Sequence, residues 1–160
     1  MTVTADQIRD QLVALLPRLR RFARTITHHA ADADDLVQIA VERALQRYQQ
    51  WRPELKFEAW VFGILRNAWI DEVRARQRRD RVFAPEEVGE HVADTNQSAP
   101  TDALSVRRAV TRLPEDQRMV VALVLVEGLS YKEAAAALEI PLGTLMSRLA
   151  RARQALQAQL

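Results

Sequence analysis

The sequence predicts an all-α protein made of two small helical domains joined by an acidic linker. It contains only 4 glycines in 160 residues, and it is rich in alanine, leucine and arginine, which favour helix. Apolar residues recur at helical spacing, and no segment shows the alternation of a β-strand. Residues 82–106 contain no lysine or arginine, and prolines, a glycine and polar residues interrupt the periodicity at 82–100. We therefore expect domains at 1–81 and 101–160 and a linker at 82–100.

Composition and charge exclude several classes of protein. The absence of cysteine excludes disulfide bonds and cysteine-ligated metals. No apolar run approaches the roughly 18 residues of a membrane span, and the first ten residues lack a signal-peptide pattern. We therefore expect a cytoplasmic protein. Because the formal net charge is only +2, any nucleic-acid binding must depend on how the charges are distributed.

Enzymatic and metal chemistry find little support in the sequence. It contains no glycine-rich phosphate loop and no nucleophile motif. His28 and His29 are adjacent and cannot both face one site on a helix. Asp32, Asp34 and Asp35 lack the glycine of a calcium loop. We expect no catalytic residue, no metal site and no cofactor.

Two helices open the first domain. The first covers about Thr4–His28 and begins with a capping box between its first residue and Gln7. Pro17 lacks a backbone donor, so we expect a kink or a break there. The second helix covers about Asp32–Tyr48, because acidic residues suit the positive end of a helix dipole.

A loop and a third helix complete the first domain. Pro53 disfavours a helical conformation at Arg52, so residues 49–55 are predicted to form a loop. The third helix covers about Phe57–Arg79 and becomes strongly basic towards its end. Such a basic run is commonly a solvated face, but it also suits contacts with phosphate groups.

The second domain begins with two short predicted helices. One covers about residues 101–113. The other follows Pro114, a favourable first-turn residue, and Gly128 is well placed as its C-terminal cap.

The end of the chain has the pattern of a helix-turn-helix motif. A helix at Ser130–Leu138 begins with a capping box that includes Glu133. A tight turn at Glu139–Pro141 follows, and the last helix begins at Leu142 or Gly143. The second domain is therefore predicted to contain four helices.

The last helix is predicted to have two distinct faces. Apolar residues at helical spacing should face the domain core, namely Leu145, Leu149, Ala152 and Leu156. Polar residues should point outwards, namely Thr144, Ser147, Arg148 and Arg151. Short hydroxyl side chains let a helix approach a groove of DNA closely, and arginines reach phosphates or guanine edges. The alternative is a terminal helix whose polar face is only solvated.

Four stretches of the sequence, taken together, have the character of one known family. Residues 129–153 read LSYKEAAAALEIPLGTLMSRLARAR, and LPEDQR stands before them at 113–118. The first domain contains DADDLVQ at 32–38 and FEAWVFGILRNAWIDEVR at 57–74. These stretches resemble the extracytoplasmic-function (ECF) sigma factors of the bacterial sigma-70 family, over about residues 10–157. The resemblance implies that the first domain is sigma region 2 and the second is sigma region 4.

The resemblance implies a polymerase contact on the second helix. Asp35, Leu36 and Gln38 would contact the clamp coiled coil in the largest subunit of core RNA polymerase. The alternative for Leu36 is a place in the core, and for the two polar residues it is a solvated helix start.

The resemblance also implies recognition of the −10 promoter element by the first domain. The loop residues Gln49, Gln50, Trp51 and Arg52 would capture an unstacked base, which requires an aromatic platform and hydrogen-bonding side chains. Trp51 has the alternative of folding back on the bundle. The helix residues expected at the −10 element are Arg66, Asn67, Asp71, Arg74, Arg76 and Arg78.

Recognition of the −35 element in the major groove is implied for the second domain. The residues expected there are Ser130, Lys132, Thr144, Ser147, Arg148 and Arg151. Met146 departs from the family, because many relatives carry a basic residue at this position. One phosphate contact is therefore expected to be missing.

The implied function is that of an RNA polymerase sigma factor without enzymatic activity of its own. It would direct core RNA polymerase, through the β′ and β subunits, to specific promoters and aid their opening. An anti-sigma protein is an expected partner, as in the regulation of a stress response. The acidic linker would thread through the polymerase or serve as a flexible tether. The alternatives are a sigma-like decoy that binds an anti-sigma protein without binding promoters, and a stand-alone helix-turn-helix regulator.

Overall fold

The computed structural model describes residues 3–82 and 102–159, which are helical over most of their length. The α-helices in these residues are α1 (Ala5–Thr27), α2 (Ala30–Arg47), α3 (Phe57–Val82), α4 (Asp102–Thr111), α5 (Glu115–Val121), α6 (Tyr131–Leu138) and α7 (Leu142–Gln159). A 3-10 turn at Tyr48–Gln50 follows α2, and a π-helical segment at Ala122–Val126 continues α5. The described residues contain no β-strand, which confirms the predicted all-α fold.

Apart from the course of α1 at Pro17 and the π-helical segment after α5, the predicted helices differ from the observed ones only at their ends. Helix α2 begins at Ala30 instead of Asp32, and α3 continues to Val82. Apart from Val82, the acidic linker predicted at 82–100 lies outside the described residues, so the exact domain boundaries stay a prediction. None of the described helices has the length and apolar character needed to span a membrane.

Helix α1 begins at the predicted capping box and continues through Pro17. The Gln7 N–H donates to the Thr4 hydroxyl over 3.2 Å, and the Thr4 N–H donates to the Gln7 side chain over 3.0 Å. Proline inside a helix costs about 3 kcal/mol, and burial of apolar side chains on both sides of it offsets this cost. The buried side chains are Ile8, Leu12, Leu19, Phe22 and Ile26. Of the kink or break expected at Pro17, the break is therefore wrong, and the kink stays a prediction.

Helices α1, α2 and α3 form the N-terminal bundle. The rings of Phe22 and Phe62 meet edge to face, with centroids 5.3 Å apart. On α2 the residues that face the bundle include Ala33, Ala40 and Ala44, which are fully buried. Their small side chains allow α2 to pack closely against its neighbours.

The C-terminal domain has the predicted caps and the order of a helix-turn-helix motif. Gly128 has φ of 76°, and the Leu129 N–H donates to the Leu123 carbonyl over 3.0 Å. The Ser130–Glu133 capping box begins α6. Glu139, at φ of 55°, ends α6 in the left-handed region and turns the chain towards α7.

The π-helical segment controls which side chain faces the N-terminal bundle. The Glu127 N–H donates to the carbonyl of Ala122, five residues earlier, over 2.9 Å. A π-turn holds one residue more than an α-turn, so it changes the direction of every side chain that follows. Glu127 is buried, whereas Leu125 and Val126 are 48% and 42% exposed.

Glu127 joins the two domains through two arginines of α1. Its side chain is fully buried, and its carboxylate accepts hydrogen bonds from Arg21 at 2.7 and 2.9 Å and from Arg18 at 3.2 Å. Arg18 also donates to the Glu127 main-chain carbonyl over 2.6 Å and to Glu58 of α3. We call these four residues the Glu127 cluster. A buried carboxylate needs charged partners, so this burial depends on contact between the domains.

Helix α6 packs on α3 at Gly63. A Cβ atom at this glycine would lie 2.9 Å from the carbonyl oxygen of Ala137, which is too close for any side chain. Nearby, Arg118 donates to the Ile26 carbonyl of α1 over 3.3 Å and to the Leu113 carbonyl over 2.9 Å. Burial lowers the pKa of Arg118, and the neighbouring Glu115 acts in the opposite direction. The two domains therefore share one continuous core.

The variant Gly63→Ala is expected to weaken this packing by about 1–3 kcal/mol, because the added methyl group displaces the backbone of α6. Gly143→Ala is the matched control, since a Cβ there meets nothing within 4 Å. Alanine favours helix over glycine, so the control should be neutral or slightly stabilising. Urea unfolding measures both variants, and equal stabilities would contradict the proposed close approach.

The variant Glu127→Gln is expected to destabilise the contact between the domains by about 1–3 kcal/mol, because two arginines lose a charged partner. The chain has no cysteine, so a pair introduced by Gln11→Cys and Gln154→Cys carries fluorescent labels that report the distance between domains. The labels should separate more often in the variant. Glu54→Gln, at an exposed loop position, is the control; identical distances in both variants would refute the role of Glu127.

Candidate nucleic-acid interface

The buried side of α7 is the one that the sequence predicts. Leu145, Leu149 and Ala152 are almost completely buried, and Leu156 packs partly against the same core. The solvent-exposed side is centred differently from the prediction. The exposed residues of α7 are Leu142, Gly143, Met146, Ser147, Ala150, Arg151, Arg153, Gln154, Gln157, Ala158 and Gln159. Sequence reasoning left Met146 and Ala150 out of this outer face.

Arg148 does not share the outward direction of Ser147 and Arg151. Its Nε lies 3.7 Å from a carboxylate oxygen of Asp116 on α5, and Thr144 is likewise half-buried. On a helical wheel Arg148 is only about 70° from the middle of the buried stripe. The prediction that Arg148 and Thr144 face outwards is therefore wrong for this arrangement, because α5 packs against that side of α7.

The start of α6 provides two exposed polar residues beside α7. The Ser130 hydroxyl accepts a hydrogen bond from the Glu133 N–H over 3.1 Å, while the Ser130 N–H donates to the Glu133 carboxylate over 3.2 Å. The hydrogen bond with Ser130 and the nearby Lys56 lower the pKa of Glu133. Ser130 and Lys132 are both exposed.

The predicted polar stripe of α3 lies partly under the C-terminal domain. Arg66 donates to the Asn67 side chain over 2.9 Å and lies 3.8 Å from Glu139 in the helix-turn-helix turn. Arg74 lines a groove between the domains together with Arg66 and Arg148. Asp71 is more exposed and pairs with Arg43 of α2 at 3.1 Å. Two of the arginines expected at the −10 element and one expected at the −35 element therefore line the same groove.

Acidic residues occupy the other side of this groove. Glu115 and Asp116 line it, and the Glu115 carboxylate accepts a hydrogen bond from the Trp69 indole over 2.7 Å. Asp116 faces Arg148, and Glu139 faces Arg66. Carboxylates thus lie close to guanidinium groups that the sequence analysis assigns to DNA.

Two arginines at the basic end of α3, Arg76 and Arg78, differ in their surroundings. Arg76 pairs with Asp32 and Glu72 at 3.0 Å and lies over the Trp69 ring at 5.7 Å. Burial alone lowers the pKa of Arg76, but its hydrogen bonds with the two carboxylates raise it overall. Arg78 is exposed, so of the two it is the one available to phosphate without rearrangement.

Trp51 folds back on the N-terminal bundle. Its indole N–H donates to the Leu55 carbonyl over 2.7 Å, and its ring meets Phe57 edge to face at 5.3 Å. This is the alternative that the sequence analysis left open. Gln49, Gln50 and Arg52 are exposed around it.

A shallow groove between α1 and α2 contains one of the residues expected at the polymerase. Gln38 lines it, and Asp35 is exposed nearby. Leu36 is only 2% exposed, so its expected direct contact with polymerase is not available in this structure. Arg20 and Arg24 of α1 also line the groove. Sequence reasoning missed them, although both lie on the polar side of α1.

Comparisons with known proteins match both halves of the chain. Residues 12–79 match the family model of sigma-70 region 2, and residues 103–156 match that of sigma-70 region 4. The ECF RNA polymerase sigma factor EcfG of Rhodopseudomonas palustris is 38% identical over 155 residues, covering 97% of this chain and 86% of that protein. The ECF RNA polymerase sigma factor SigM of Mycobacterium tuberculosis is 36% identical, covering 85% of this chain and 68% of that protein.

Solved structures extend the likeness to the fold. The sigma factor RpoE of Bartonella quintana, in complex with the anti-sigma factor NepR, has a TM-score of 0.77 and 32% identity, with 94% of each chain covered. CnrH, in complex with the cytosolic domain of CnrY, has the same fold, with a TM-score of 0.68 and 24% identity. From two region models in their family order and from relatives aligned over most of its length, we conclude that this chain belongs to the ECF RNA polymerase sigma factors of the sigma-70 family.

Proposed function

We propose that this sigma factor directs core RNA polymerase to specific promoters and helps to open them, with the two described domains contacting different promoter elements. The observation that carries the proposal is the outer face of α7. It exposes Arg151 and Arg153, and the sequence of the whole helix contains no acidic residue. Such a helix suits the negatively charged major groove. Synthesis of RNA would remain the chemistry of the polymerase, which locates the action of the chain in the cytoplasm.

In this proposal Ser147 and Arg151 read the −35 element. Ser147 is small enough to let α7 approach the bases, and Arg151 reaches guanine or phosphate. Ser130 and Lys132, at the start of α6, contact the DNA backbone beside the groove. Thr144 and Arg148 lie at the margin of this surface.

The N-terminal domain has two tasks in the proposal. Asp35 and Gln38 of α2 bind core polymerase, while Leu36 holds α2 in the bundle. The exposed side chains of Gln49, Gln50 and Arg52 bind an unstacked base of the −10 element beside Trp51. Further along α3, the DNA contacts expected from the resemblance are Arg66, Asn67, Asp71, Arg74, Arg76 and Arg78.

Promoter binding by α3 would require the two domains to separate. Arg66 is covered by α6 and faces Glu139, and Arg74 lines the groove between the domains. The likeness to the Bartonella sigma factor covers 94% of both chains, and that protein is bound to an anti-sigma factor. We therefore propose an anti-sigma protein as a partner. It would hold the two domains in contact as they are in this structure, which we call the closed arrangement.

Transcription with purified core polymerase tests the function. Wild-type chain should give transcripts with defined start sites, and Asp35→Ala should weaken binding to core polymerase by about 1–2 kcal/mol through loss of an exposed charge at the interface. Asp10→Ala removes an exposed charge from α1 and is the control. A chain that binds an anti-sigma protein but never supports initiation would be a decoy. If Asp35→Ala binds polymerase as tightly as the wild type, the role assigned to Asp35 is wrong, but the proposed function of the chain is not affected.

Arg151→Ala is expected to weaken binding to −35 duplex DNA by about 1–3 kcal/mol if the arginine contacts a base. Arg148→Ala removes the same charge from the same helix, but its side chain points to Asp116, so its loss should be smaller. Fluorescence anisotropy on a duplex from a mapped promoter measures both. Equal losses would show that the arginines act through charge alone, and the reverse order would contradict the assigned orientation.

A further inference from the structure

An apolar stripe runs along the solvent-exposed face of α7. Leu142 and Met146 are 47% and 50% exposed, and Ala150, one further helical turn along, is also exposed. Residues four apart lie on the same side of a helix, so the three form one continuous strip. The strip lies directly beside Ser147, and Arg151 follows its last residue.

The surroundings of the strip identify its occupant. Helix α7 contributes three arginines and no carboxylate, so its field favours a polyanion. On the side towards α6, the Arg153 guanidinium donates to the Tyr131 hydroxyl over 3.4 Å, which gives the strip a polar border. An apolar strip inside a basic surface fits duplex DNA better than an apolar protein partner, which would leave the exposed Arg151 and Arg153 without counter-charges.

The size of the neighbouring residues determines how closely the strip can approach the bases in the major groove. Gly143, Ser147 and Ala150 carry small side chains, so they let the helix approach the base edges. Met146 is long, unbranched and flexible, and it extends beyond these neighbours. In the major groove, the apolar group that distinguishes one base from the others is the C5-methyl of thymine.

We propose that Met146, supported by Leu142, is a specificity-determining residue that contacts a thymine methyl group in the −35 element. The proposal rests on the proposed function, because it assigns a base contact to the domain that reads DNA there. A methionine offers no long-range attraction for phosphate and acts only through a short-range contact with one base. The chain would therefore select its promoter partly by apolar contact.

Replacement of thymine by deoxyuridine tests the contact directly. Deoxyuridine lacks the C5-methyl group and keeps the hydrogen-bonding edges of thymine. The probe is the −35 duplex of the promoter with the strongest transcript, with each thymine replaced in turn, and the full chain is titrated against it. Wild type should lose about fourfold in affinity at one thymine, the equivalent of about one buried methyl group.

Variants of the full chain separate this contact from other effects. Met146→Ala should bind the thymine duplex about fourfold more weakly and should not respond to deoxyuridine at that position. Leu125→Ala removes an equally exposed apolar side chain outside α7, and it should keep the wild-type response. Met146→Lys should release about one more counterion when it binds DNA, so its affinity should fall more steeply with salt concentration. It should also lose the response to deoxyuridine.

Three results would overturn the inference. Equal wild-type affinity for every thymine and deoxyuridine duplex would exclude a methyl contact. A response to deoxyuridine that persists in Met146→Ala would assign the contact to another residue. Weaker binding of Met146→Ala to core polymerase, with DNA affinity unchanged, would assign the strip to a protein partner. Failure of the proposed function is distinguishable, because the wild-type chain would then bind no promoter duplex at all.

Discussion

The carboxylate of Glu127 is the group on which the arrangement of the two domains depends. It is fully buried, although it belongs to the C-terminal domain, and the arginines that hold it belong to α1 of the N-terminal domain. If the domains part, the carboxylate and both guanidinium groups regain water, so neither state leaves a charge isolated. The contact is therefore reversible in a way that an apolar interface of the same size is not. It favours one docking geometry while adding little to the cost of separation.

Contact between the domains leaves one candidate DNA-binding surface, on α7, exposed and partly covers the other, on α3. The outer face of α7 remains exposed, with Ser147 and Arg151 in solvent. The stripe on α3 lies partly beneath α6, and Arg66 faces Glu139. In the proposed function, the C-terminal domain can therefore meet DNA while the domains are together, whereas the α3 stripe becomes available after they separate. Glu139 and Asp116 lie beside Arg66 and Arg148, two of the arginines that the resemblance assigns to DNA.

Local features of the sequence were predicted well because their causes are local. Both capping boxes depend on residues three apart, and the buried stripe of α7 depends on helical periodicity. Predictions failed where a distant element decides the outcome. The orientation of Arg148 depends on α5, and Pro17 is tolerated because its helix is buried on both sides of it.

The contacts between the domains have no local cause at all. The partners of Glu127 stand 106 and 109 positions away in the chain, and no periodicity connects them. A single acidic residue at the end of the apolar segment that begins at Ala122 was a visible anomaly, but nothing nearby indicates its partner. For Leu36 and Trp51 the sequence allowed both a surface and a buried role. In this structure, packing with α1 and α3 decides in favour of the buried one.

The π-helical turn before Glu127 makes the domain contact sensitive to chain length. Deleting one residue between Ala122 and Val126 would restore α-helical geometry and rotate Glu127 by about 100°, away from Arg18 and Arg21. No side chain of the cluster would need to change for the connection to be lost. Insertion or loss of a single codon in this segment would therefore remove the charged contact that selects this docking geometry, while the packing of α6 on α3 at Gly63 would remain. The residues proposed to contact DNA lie outside this segment, so such a change would leave them in place.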